Sequence, residues 1–266
     1  MQVTELIPLS EIEVNRQDVL AIQRNELVPI FNNAALLHHY AEQLVQAQAV
    51  LLQGVDPLLT QQFRQSIEAL IQALSQSNKY LKKHKFNALQ KWLGIDIEHS
   101  SGQIDYYKNL DVLLDRSQHL SQKLRLEIQK SESRVQQLLG LRLRMANYVV
   151  AAQEFMQEYP KILRAQHPLD QFSERLSQKI HSLQTVQASN DIALQQMQLS
   201  QQLSLGLLDR FTEAQQVLIP AWQYHVNQSQ QTDSTSELLK LDNSREKLIK
   251  TLRKSLEKPT GNSTQN

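Results

Sequence analysis

Apolar residues recur every three to four positions along most of this chain, with glutamines and charges between them. That spacing is the period of an α-helix with one face turned inward. The longest unbroken stretch starts near Gln103 and holds for nearly sixty residues. Its inward seam is Leu110, Leu113, Leu120, Leu124, Ile128, Val135, Leu138, Met145, Val149, Ala152 and Met156. Ser117 and Ser131 fall in the same seam, where small residues let two helices approach closely. Gly140 is its one weak point, at about 1 kcal/mol against Ala. Pro160 is expected to stop this helix, and His167-Pro168 marks the next boundary. A second long pattern opens with Leu169, Phe172, Leu176, Ile180 and Leu183. It runs on through Leu194, Met197, Leu208, Phe211 and Leu218 towards Pro220 and Trp222.

Shorter elements flank these two. Residues 1–16 read as an N-terminal arm whose Leu6, Ile7, Leu9, Ile12 and Val14 are available to dock on a helical body. A short helix is expected from Gln17, ended or kinked at Pro29. Asn32 or Asn33 then caps a helix to about Gln53, closed by Gly54. Asp56-Pro57 is a helix start, with Asp at the N-cap and Pro at the first helical position. Leu59, Phe63, Ile67, Leu70, Leu74 and Leu81 carry that helix to about His84, and a short piece around Phe86–Leu93 follows. The segment IDIEHSSGQ (95–103) reads as a loop, and 227–236 as a polar linker. Residues 237–257 form a terminal amphipathic helix on Leu238, Leu241, Leu248, Leu252 and Leu256, and 258–266 a disordered tail.

The expected fold is therefore all-α: an elongated antiparallel helical bundle or coiled coil over 17–226 with two very long helices, 103–159 and 168–226. A short connection forces consecutive helices to return alongside each other. A sixty-residue helix would reach about 90 Å, and coiled-coil pairing is the natural way to bury its face.

Composition narrows the function classes. The chain has 266 residues, no Cys and 6 Gly. Disulfides, thiol chemistry and Cys-ligated metals are therefore excluded. A net charge of +1 argues against a dedicated nucleic-acid binder. The opening MQVTELIPLSEIEVNRQ is acidic where a signal peptide would be basic, and nowhere do about 18 apolar residues run together. With a mean hydropathy of -0.45, the chain is expected to be soluble and cytoplasmic.

Candidate chemistry is sparse. His39 lies three residues before Glu42, yet no Glu-x-x-His of the di-iron bundle kind occurs, and no metal site is expected. Asp111 and Asp115 share a face next to Arg116 and read as a solvated polar surface. Gly94 and Gly102 stand alone, without the clustered glycines of a phosphate loop. No catalytic residue, cofactor site or metal ligand is assigned. One local charge anomaly stands out, KYLKKHKFNALQKW, which holds Lys79, Lys82, Lys83, Lys85, Lys91 and Trp92 with no acid before Asp96. It suits an anionic membrane surface, where each Lys contributes about 1 kcal/mol. It could also hold nucleic acid by phosphate contact and stacking; the favoured reading is a positively charged helix end that complements the dipole, because charge elsewhere is balanced. Gln187, Gln201 and Asn190 lie near the seam of the second long helix, where polar groups set register and partner choice.

Three stretches carry a family resemblance. They are ALQKWLGIDIEHSSGQIDYYKNLDVLLDRSQHLSQKL, RVQQLLGLRLRMANYVVAAQEFMQEY and LQTVQASNDIALQQMQLSQQLSLGLLDRFTEAQQVLIPAW. Together they resemble the TelA family of bacterial toxic-anion (tellurite) resistance proteins over roughly residues 85–222. Asp209-Arg210 matches the family's Asp-Arg, with Phe211 where Ala is usual. The resemblance implies a stress-resistance role without a cofactor or a catalytic residue. The expected function is a non-enzymatic, cytoplasmic helical scaffold that binds protein partners in a tellurite or cell-envelope stress system. The alternative is a peripheral protein that binds anionic lipid through the basic-aromatic segment at the inner face of the membrane. Self-association is open in both readings, and no nucleic-acid partner is expected.

Overall fold

The computed structural model describes residues 6–77, 95–162, 170–231 and 235–257. Among them there is helix and no strand, as the spacing predicts. No helix there is long and apolar enough to cross a membrane. The α-helices are α1 (Arg16–Ile22), α2 (Val28–Asn32), α3 (Glu42–Leu51), α4 (Pro57–Ser75), α5 (Ile95–Ile162), α6 (Asp170–Glu213), α7 (Ile219–Gln231) and α8 (Thr235–Leu256). Two compact units are built from them: Met1–Gly54 with Lys130–Gln201, and Val55–Gln129 with Gln202–Asn266. The long helices α5 and α6 each contribute one part to either unit.

Several local boundaries follow from residue chemistry. The Asn15 side chain accepts from the Gln17 backbone N–H at 2.9 Å and starts α1. Asp56 does the same for Leu58 N–H at 2.8 Å, with Pro57 opening α4. Both Pro29 and Pro220 are preceded by a π-helical turn, Gln23–Leu27 and Ala214–Leu218. A proline ring collides with the carbonyl four residues earlier and gives it no N–H. Widening the turn upstream relieves that collision. The chain consequently stays helical through Pro29 to Asn32 instead of ending at the proline. Between Asn33 and α3 lies a 3₁₀ segment, Ala34–His39, followed by Ala41 at φ 58. The single helix expected from Asn33 to Gln53 is thus broken at a left-handed residue, a conformation that costs an L-residue about 1–2 kcal/mol.

Three other expectations are corrected. The loop assigned to 95–103 is the first part of α5. That segment has no proline, and a lone glycine costs only about 1 kcal/mol against Ala, too little to break a helix anchored further along. α5 also passes Pro160 and ends at Ile162. The linker assigned to 227–236 is mostly helix, since α7 runs to Gln231 and α8 resumes at Thr235. Glutamine is a good helix former, and Gln228 bonds the Tyr224 hydroxyl one turn back at 3.2 Å.

In the first unit, Met145, Val149 and Ala152 of α5 meet Phe172, Leu176 and Ile180 of α6, and Val19, Leu27 and Tyr40 close the same core. Leu9 and Val14 of the N-terminal segment pack on it, while Leu6 joins a smaller cluster with Val135, Leu138, Leu194 and Met197. Ser131 is bonded to Gln201, and Arg142 to Asp191. One number rises as the other falls, so the α5 and α6 parts of this unit run antiparallel. In the second unit, Phe63 and Phe211 meet edge to face at 5.0 Å. Around them lie Ile67 and Leu70 of α4, Leu120 and Leu124 of α5, Trp222 of α7, and Leu248 and Leu252 of α8. The terminal helix is part of this core.

Candidate functional site

The basic-aromatic residues Lys79, Lys82, Lys83, Lys85, Lys91 and Trp92 lie outside the described residues, and so does most of the Pro160–Pro168 turn. Two other features stand out, one in each unit.

The first is a polar seam between helices of the first unit. Arg142 is buried and reaches both carboxylate oxygens of Asp191, with Nε and Nη2 at 2.9 Å, while Nη2 also donates to the Ile7 carbonyl. Gln187 donates to the same carboxylate at 2.6 Å and accepts from Gln48 at 2.8 Å. Asn190 donates back to the Gln48 side-chain oxygen at 3.0 Å. Further along, buried Gln201 donates to Ser131 Oγ at 2.8 Å. Each member sits at a helical spacing that turns it inward, so α3, α5, α6 and the N-terminal segment are tied in one register. Gln187, Gln201 and Asn190 stood out from their place near the seam. Arg142 and Gln48 did not, because a charge on an amphipathic helix reads as solvated until its neighbour is known.

Beside this seam, the Tyr40 hydroxyl donates to the Tyr148 carbonyl at 2.7 Å, and the Tyr148 hydroxyl donates to Glu26. Burial, then the Glu26 hydrogen bond, pushes the Tyr148 phenol up to about 12. Burial also holds the Tyr40 phenol well above its ordinary value. On the surface, His39 Nδ1 lies 2.7 Å from Glu42, and that hydrogen bond lowers the Glu42 carboxyl. Both side chains are exposed, and among the described residues no group of three or more His, Asp or Glu converges on a metal position.

The second feature belongs to the other unit. The C-terminal end of α8 leaves backbone carbonyls without helical donors. Arg64 of α4 donates to the Leu256 carbonyl at 2.6 Å, and Arg210 of α6 donates to the Lys254 carbonyl. Two cations at this end also oppose the negative pole of the helix dipole. Arg210 belongs to the Asp-Arg pair singled out in the sequence: Asp209 faces solvent, and Arg210 clasps the terminal helix. Both arginines line a cavity of about 240 Å³.

Comparison with known proteins adds one relative. The chain is 30% identical over 139 residues to Protein KlaA of Escherichia coli, covering 51% of this chain and 54% of that one. It thus spans about half the length of the curated relative it matches. No family model matches the chain, and no solved structure does. On the residues quoted above, the chain resembles the TelA family of toxic-anion (tellurite) resistance proteins, and its similarity to KlaA over half its length supports that resemblance.

Proposed function

We propose that this chain is a non-enzymatic helical scaffold, cytoplasmic, that binds protein partners in a toxic-anion (tellurite) or cell-envelope stress system. One observation carries the reading. The inward seams of α5 and α6 are filled, yet α6 still exposes Ile192 at 59% and Leu199 at 52%. They lie seven residues apart, so they share one outer face two turns apart, which is the spacing a partner helix reads. The resemblance to TelA proteins and to KlaA supports the setting. In a host lacking the gene, tellurite sensitivity should rise, and the wild-type chain should restore growth. Ile192→Glu/Leu199→Glu should fail to restore it while melting like wild type. Full restoration by the variant, or an unchanged deletion strain, would sink the reading.

We also propose that the long helical stretches 103–159 and 168–226 pair antiparallel as a coiled coil. The chain has no Cys, so introduced cysteine pairs report cleanly. Disulfides should form in a ladder in which one position rises as the other falls, starting from Ser131→Cys/Gln201→Cys. A ladder that stops short of the α6 end would limit the pairing. The membrane-bound alternative rests on the Lys79–Trp92 composition. Sedimentation should then rise with anionic lipid content and be lost in Lys82→Glu/Lys83→Glu; equal behaviour on neutral vesicles removes it.

A further inference from the structure

The clasp on the terminal helix uses one N–H of each guanidinium, and each carries five. Among the described residues neither Arg64 nor Arg210 has an ion-pair partner, although both line the same cavity. Glu257, the carboxylate at its rim, is exposed and pairs with neither of them. The rest of the wall is Leu203 and Leu207 of α6, with the hydroxyl-bearing Thr60 of α4 and Ser255 of α8 beside them; the Ser255 hydroxyl is already bonded to the Leu252 carbonyl. Gly206 leaves the cavity open, since a Cβ built there would meet nothing within 4 Å. Two like charges sharing a recess repel each other, and an anion between them would remove that repulsion. Forked guanidiniums match the planar geometry of a carboxylate. At about 240 Å³ the cavity is smaller than drug-sized sites of roughly 300–1,000 Å³.

From this we infer that the recess between α4, α6 and the end of α8 is a binding site for a compact carboxylate on an apolar body. The carboxylate sits against Arg64 and Arg210, and the body lies along Leu203, Leu207 and the gap at Gly206. This inference goes beyond the partner-binding reading, which rests on Ile192 and Leu199.

The probe is hexanoate, titrated into the full chain by calorimetry and by amide NMR shifts. Hexanoate should bind and perturb residues around Gly206, while hexan-1-ol and inorganic phosphate should each bind at least tenfold more weakly. Gly206→Leu fills the recess without touching a charge; it should abolish binding while the melting temperature holds or rises. Arg210→Gln should weaken binding at least tenfold. Because Arg210 also clasps α8, its variant is judged only beside the Gly206→Leu result. Absence of hexanoate binding overturns the inference. So does binding that survives Gly206→Leu, or phosphate or hexanol binding as tightly as hexanoate.

Discussion

Leu124 is wholly buried among apolar side chains of its unit, and Gln118 is exposed on the same helix. Leu124→Asp should therefore cost several kcal/mol, because a carboxylate enters a layer with no partner. Gln118→Asp should shift stability by no more than about 0.5 kcal/mol. Urea melts of the two variants check both the period and the phase of α5, and equal losses would mean that its outer side is also buried. Gly140 sits on the outer side with open space where a Cβ would go. Gly140→Ala should stabilise by about 1 kcal/mol, and a destabilised variant would show a contact that the geometry lacks. The tyrosines give a pH dependence. Tyr148 has an ordinary value of 10.0 and a folded value of about 12. The folded state therefore holds a proton that the unfolded state releases first. Stability is complete below about pH 10 and is lost as pH rises from there towards 12. Tyr40 adds to the loss in the same direction. Thermal melts followed from pH 9 to 12 should show this fall, and Tyr148→Phe should make it shallower.

At the scale of elements, the polar seam decides register. An apolar seam alone tolerates sliding by a heptad, since leucine layers are interchangeable; Arg142 against Asp191 is satisfied in one register only. The side chain of Arg142 is 6% exposed and that of Asp191 is 21%. Removing one partner strands a buried charge, so Arg142→Ala should cost about 3 kcal/mol. Replacing both, as Arg142→Met/Asp191→Leu, should recover most of that loss. Denaturant midpoints compare the two, and a double variant as weak as the single one would deny the coupling. The long-helix seams were legible because each position repeats the same inward demand: Leu110, Leu120, Leu124, Leu138 and Val149 are all buried where the period places them. Element ends were less legible. The segment at 95–103 and the glutamine-rich 227–231 look loop-like by composition, yet both are helix. The cost of a glycine or a polar run is small beside the cooperativity of a helix already nucleated. At Pro29, where an end or a kink is expected, the helix does not end, because a π turn upstream absorbs what a proline otherwise breaks.

For the molecule as a whole, circular dichroism should report well over half helix, against about a third for an ordinary globular protein; a lower value would sink the all-helical assignment. The grouping into units could not be read along the chain. Residues 17–226 look like one bundle in sequence. In the structure, Val55–Gln129 joins Gln202–Asn266, and the terminal helix is buried in that unit through Leu248 and Leu252. Sequence by itself determined helicity, the inward faces of α4, α5, α6 and α8, and the absence of thiol chemistry. These are local properties, set by spacing and residue type. Only the tertiary structure decided which polar residues face each other: Arg142 with Asp191 and Ile7, Gln48 with Gln187, and Arg64 and Arg210 around the end of α8. Those partners lie between about 40 and 190 positions apart. A helical period says which way a side chain points; it carries no information about what another helix brings to meet it.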